Sequence, residues 1–150
     1  TGNYNVASGY DSQRSLTTGS SNVATGNAAQ YQPRGVTAWA TTTASRQTSI
    51  GHESGQGSST PSDDIVTVGY RATADGAKAM ALGSMASAAH AGSVALGSDV
   101  TTTAAGQVAV GARDVEVQDA TKGLVLRSPD GSRWRATINN TGVTTWTKIV

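Results

Sequence analysis

The amino-acid sequence predicts an all-β protein: a parallel β-roll of 14-residue coils over residues 1–112, a polar connector at 113–121, and a small antiparallel β-meander over 122–150. Three observations lead there. A glycine-punctuated tetrapeptide recurs at fixed spacing, the residues around it alternate with period 2, and the composition cannot fill an ordinary thick core. Of the 150 residues only 23 are Val, Leu or Ile, Phe is absent, and aromatics make up 5%. Such a chain needs a thin core of small residues, repeated many times or shared between copies. The net charge of +1 lacks the excess that accompanies disorder.

The repeat is clearest in the middle of the chain. Val66-Thr-Val-Gly69, Met80-Ala-Leu-Gly83, Val94-Ala-Leu-Gly97 and Val108-Ala-Val-Gly111 put glycines 14 residues apart three times running. Small or apolar residues follow each glycine at fixed offsets, as Ala72, Ala86 and Val100, then Ala74, Ala88 and Thr102. Upstream the phase slips. Thr48-Ser-Ile-Gly51 lies 18 residues before Gly69, which implies an insertion of four residues near Thr60–Asp64. Val23-Ala-Thr-Gly26 and Val6-Ala-Ser-Gly9 are earlier copies, Leu16-Thr-Thr-Gly19 reads as a displaced half-unit, and Val36-Thr-Ala-Trp39 as a degenerate copy. This makes about eight units in the first 112 residues.

Each unit holds two short alternating runs separated by turns. Glycine supplies the positive φ that such turns need, so Gly51, Gly69, Gly83, Gly97 and Gly111 are the expected structural glycines. Equivalent runs of successive coils then pair in parallel, about 4.8 Å apart. Burying a Val, Leu or Met stabilises by about 1.5–3 kcal/mol, while ordering the backbone costs about 1–2 kcal/mol per residue. With one or two large residues per coil to bury, a lone solenoid is marginal, so a homo-oligomer packed about a common axis is expected.

The C-terminal stretch has a different grammar. Residues 113–150 carry 10 of the 21 charged residues, against 11 in the first 112. Gly123–Arg127, Arg133–Ile138 and Val143–Ile149 read as strands, joined by the turns Ser128-Pro-Asp-Gly131 and Asn139-Asn-Thr-Gly142. Trp134, Ala136 and Ile138 share one face of the middle strand, Arg133, Arg135 and Thr137 the other. A meander this small needs oligomeric packing, through Trp134 and Trp146, to gain a core.

Two family resemblances follow from these residues. The repeat, clearest from Gly83 to Gly97, resembles the YadA-like head repeat of trimeric autotransporter adhesins, which also occurs in bacteriophage fibre proteins. The likeness is good over residues 66–112 and looser over 1–65. It implies a left-handed β-roll with three chains wound side by side. The string Gly-Leu-Val-Leu-Arg-Ser-Pro-Asp-Gly-Ser-Arg-Trp-Arg, residues 123–135, resembles short C-terminal modules of phage tail and other virion fibre proteins. An adhesin head is expected to lead into a stalk and membrane anchor, and neither follows in this sequence. The resemblances therefore imply a structural and adhesive virion protein of a phage (tail fibre, head fibre or capsid-decorating protein). The alternative is the head of a bacterial trimeric autotransporter adhesin. The expected partners are two further copies of the chain, other virion proteins, and a host-surface glycan or protein; the expected location is the virion surface.

Enzymatic chemistry has little support in the residues. Cys is absent, which excludes disulfides and thiolate metal sites. His52 and His90 sit at different repeat offsets, and neither has a ligand at metal spacing. Asp63 and Asp64 are adjacent, so on a strand they would point apart, and they read as a solvated loop. Gly55-Gln-Gly57 lacks a strand–helix context for phosphate, and the Asn139-Asn-Thr141 sequon reads as chance. No enzyme activity, cofactor or metal is expected. The balanced charge argues against nucleic acid, and no apolar run approaches a membrane span. For a host receptor, the loop Gln30–Arg34 is the expected protrusion, with Tyr31, Gln32, Arg34 and Trp39 as contact residues.

Overall fold

A computed structural model describes residues 2–14, 16, 18–31, 44–55, 62–111, 115–119 and 121–149. All regular structure among them is β. In chain order the strands are β1 (Val6–Ser8), β2 (Val23–Thr25), β3 (Thr48–Ile50), β4 (Val66–Val68), β5 (Thr73–Ala74), β6 (Met80–Leu82), β7 (Ser87–Ala88), β8 (Val94–Leu96), β9 (Val108–Val110), β10 (Val125–Arg127), β11 (Arg133–Ile138) and β12 (Thr144–Ile149). The chain forms two compact units, Thr1–Ala112 and Arg113–Val150.

The first unit is a β-solenoid. Its main sheet has the order β1-β2-β3-β4-β6-β8-β9, every pairing parallel. The register puts the repeat tetrapeptides in columns, with Met80 opposite Val66 and Val94, and Leu82 opposite Val68 and Leu96. The second run of each regular coil pairs β5 with β7, and the bridge from Ser87 to Thr101 continues that ladder. From β4 to β9 the strands start every 14 residues; the three earlier steps take 17, 25 and 18. β2 hydrogen-bonds directly to β3, and the described residues give the main ladder seven rungs. Val36-Thr-Ala-Trp39, the expected degenerate copy, lies outside the described residues.

The core corrects one expectation about the coils. Burial was expected for Val, Leu and Met, but those of the repeat tetrapeptides take the first and third positions of each strand and are only half-buried from β4 to β8, while Ile65 and Val100 are the large aliphatics in the core. The inward residue of each rung is small: Ala24, Ser49, Thr67, Ala81 and Ala95 are fully buried. Ala72, Ala74, Ala79, Ala86, Ala88, Val100 and Thr102 fill the other inward positions. Within the strand triplets the inward position faces the opposite ladder across one thin coil, so a small residue takes it and the larger members of the alternation go outside. Toward the N-terminus the core becomes polar. Asn22 Nδ2 donates to the Ala44 carbonyl at 2.9 Å, and the Gln47 amide donates to Asn22 Oδ1 at 2.9 Å. Gln47 Nε2 donates to the Ser62 carbonyl at 2.9 Å, and Ser54, Thr67 and Ser49 form a buried hydroxyl chain.

The repeat glycines occupy the corner after each outward-flanked strand. Gly51, Gly69, Gly83 and Gly97 have φ of +129°, +132°, +139° and +115°. Each amide bonds back to the preceding rung, as Gly83 does to the Val68 carbonyl at 2.8 Å. Gly111 closes the last rung through the Leu96 carbonyl at 3.0 Å without positive φ. A different corner is left-handed with ordinary residues. Ser21, Arg46, Asp64 and Lys78 have φ of 60°, 58°, 63° and 60°, and Gly92 and Gly106 continue the column at 64° and 67°. Their amides all bond to the coil before, for example Asp64 to the Ser45 carbonyl and Lys78 to the Asp63 carbonyl.

The second unit is an antiparallel sheet of order β10-β11-β12. The register pairs Leu126 with Trp134, Ala136 with Trp146 and Arg127 with Arg133. Asp130 caps the first turn, accepting from the Ser132 amide and from the Ser128 and Ser132 hydroxyls. Asn139 Oδ1 takes three donors, from Thr141 and Val143, and so shapes the second turn. That role gives the sequon asparagine a local structural use.

Candidate functional site

The receptor-contact residues predicted from sequence are only partly described. Tyr31 is half-buried, with the Arg14 guanidinium 5.9 Å from its ring centre. Arg14 is in turn held by Asp11 at 2.9 Å. Gln32, Arg34 and Trp39 lie outside the described residues. Gln30 corrects the expected protrusion: it is 2% exposed and belongs to the core. Its Nε2 donates to Ser49 Oγ at 3.1 Å, and its Oε1 accepts from Gln13.

The densest cluster of exposed functional groups lies along the corner that follows the repeat glycines. The first corner position carries Tyr10, Asn27, His52 and Tyr70 on successive coils, and the second carries Asp11, Ala28, Glu53 and Arg71. His52 and Tyr70 stack with centroids 5.5 Å apart and planes 12° apart. The Arg71 guanidinium sits 5.2 Å from the Tyr70 ring centre and is paired with Glu53. The hydrogen bond and charge from Arg71 hold the Glu53 carboxyl below its ordinary value. Tyr70 therefore already has ring and cation partners from its own chain, whereas Tyr10 is 75% exposed. The glycine offset encodes this alignment: Tyr10, Asn27, His52 and Tyr70 each follow a repeat glycine.

The acidic pair Asp63 and Asp64 is engaged by one arginine. Arg46 Nε donates to Asp64 at 2.5 Å and its Nη2 to Asp63 at 3.2 Å, while Asp63 also accepts the Ser45 amide. The hydrogen bond from Arg46 lowers the Asp64 carboxyl. The arrangement ties one coil to the next and leaves no acid poised to protonate a substrate. No group of three or more His, Asp or Glu capable of holding a metal occurs among the described residues. Nor is any helix among them long and apolar enough to cross a membrane.

The second unit carries a groove of about 410 Å³ bordered by Val115, Val117, Leu124, Ala136, Ile138 and Thr144. Asp119 and Lys122 are its charged margins. Asp119 is occupied as a turn cap for Thr121, whose hydroxyl and amide bonds lower its carboxyl. The groove is thus an apolar contact surface without a reactive set.

What these features define is a β-solenoid with a small appended β-sheet, bearing side-chain ladders on its outside. No family model matches the chain, and no curated protein or solved structure matches it.

Proposed function

We propose that this chain is one protomer of a structural fibre, most compatible with a trimeric bacteriophage virion protein that contacts the host surface. One observation carries the reading: the coils are packed inside out. Small residues fill most of the interior, while from β4 to β9 two columns of larger aliphatics run along the outer face of the main sheet. One column includes Val66, Met80 and Val94, the other Val68, Leu82 and Leu96, all half-buried against their neighbours along the ladder. At the two ends of the sheet the outward positions open, with Val6 55% and Val108 63% exposed. An outward aliphatic face of this kind marks an interaction surface, and identical copies about a common axis would cover it from β4 to β9. Three weak chains would then make one stiff rod, and three copies of the aromatic corner would bind a repetitive surface with avidity.

The phage assignment rests on the resemblance of residues 123–135 to virion fibre modules, and the trimer on the resemblance of the repeat. Light scattering from nanomolar to micromolar concentration tests the assembly: a concentration-independent trimer is expected, and a folded monomer would overturn it. Immunogold labelling with antibody against this chain tests the location. Labelled phage particles are expected; label confined to bacterial envelopes would favour the adhesin head instead.

A further inference from the structure

Residues 115–118 are exposed, belong to no strand, and make no backbone hydrogen bond among the described residues. An unpaired backbone is a template for another strand. The segment alternates in the manner of a strand, Val115 and Val117 to one side and Glu116 to the other. Val115 is 73% and Val117 52% exposed.

The three-stranded sheet is two-sided in a matching way. One face carries Leu124 and Leu126, 63% and 49% exposed, beside Trp134. The other carries Arg127, set directly opposite Arg133 by the register, with Arg135 two residues further on. Like charges directly opposite destabilise a sheet. Among the described residues no acid pairs with Arg127 or Arg133, and no base pairs with Glu116. Arg135 Nε is buried without a partner. β10 is an edge of this sheet, so its outer backbone groups are unpaired.

We propose that Val115–Gln118 of one copy adds as a fourth strand to the β10 edge of a second copy. Val115 and Val117 then lie beside Leu124 and Leu126, and Glu116 lies opposite Val125 on the arginine face, diagonal to Arg127. The apolar side meets the apolar face and the acid meets the arginine face; a strand slipped by one residue would reverse both. The segment's own sheet is the competing site. There, however, the valines face Leu124, Ala136 and Ile138 across the groove, and the segment pairs with no strand. Exchange between copies is head-to-tail and closes into a ring when the copies are related by rotation. The proposal rests on the homo-oligomer reading above and adds the contact that locks it.

The absence of native cysteine makes the test clean. The full-length double variant Glu116→Cys/Val125→Cys, whose two positions stand directly opposite in this register, is oxidised and run on a non-reducing gel. Covalent species up to the trimer, collapsing to monomer on reduction, are expected. Monomer bands alone, with light scattering still reporting a trimer, would overturn strand exchange and leave the oligomer standing. A monomer by light scattering for the unaltered chain would overturn both. As a second route, Glu116→Arg should weaken assembly about threefold to tenfold at low salt, as loss and reversal of one cross-strand ion pair requires. Adding Arg127→Glu should restore it; failure of the reversed pair to recover affinity, with circular dichroism unchanged, would count against the contact.

Discussion

Gly83 shows how single residues hold the solenoid together. Its φ is +139°, and a Cβ built there would stand 2.2 Å from the carbonyl oxygen of Gly97 on the next coil. Neither the torsion nor the approach can relax without opening the ladder. Gly92 also has positive φ, yet nothing lies within 4 Å of its Cβ position. Thermal unfolding should separate the two: Gly92→Ala is expected to cost about 1–2 kcal/mol from the left-handed torsion alone, and Gly83→Ala clearly more. Equal costs would mean that coil contact is not limiting. Asp130 provides a pH-dependent residue. Its hydrogen bonds from Ser128 and Ser132 lower its carboxyl from the ordinary value of 3.8. A group lowered in the folded state stabilises above its unfolded value and loses that contribution as pH falls through the folded one. The Ser132 amide should therefore titrate below pH 3.8 by NMR, and Asp130→Asn should abolish the transition.

At the scale of the element, the ladder was legible where sterics decide and illegible where geometry offers two equal faces. Glycine spacing disclosed the coil because only glycine tolerates the corner at Gly69 and Gly83. Period-2 alternation disclosed strands but left open which member of Met80-Ala-Leu82 points inward. The narrow gap between ladders decides for Ala81. The polar half of the core was missed because Asn22, Gln30 and Gln47 look like surface residues. A signal existed: Asn5, Asn22 and Gln47 each stand immediately before a strand. Asn22→Ala is expected to leave the buried Gln47 amide and Ala44 carbonyl unpaired, at about 1–3 kcal/mol each. A denaturant midpoint unchanged from the parent chain would show that water replaces the side chain. The column Ser21–Arg46–Asp64–Lys78 was invisible because none of these residues advertises a left-handed torsion.

For the whole molecule, inward and outward substitutions should part company. Leu82→Lys or Val66→Lys is expected to dissociate the assembly in light scattering while the β signature in circular dichroism persists. Ala81→Leu should do the reverse damage, overpacking the coil at about 1–3 kcal/mol and lowering its unfolding temperature. If the lysine variants unfold instead of dissociating, coil and assembly are one cooperative unit. The left-handed corner has a different consequence. Tyr4, Ser21, Arg46, Asp64, Lys78, Gly92 and Gly106 carry aromatic, hydroxyl, cationic, anionic and bare positions on nearly one torsion, φ 58–67°. From Ser21 on, the backbone bond to the coil before holds the corner whatever side chain stands there. Such a column works as a display rack, with a slot about every 4.8 Å whose contents change without altering the shelf. Substitution at these slots should therefore change what the corner presents to its surroundings while the ladder beneath keeps its form.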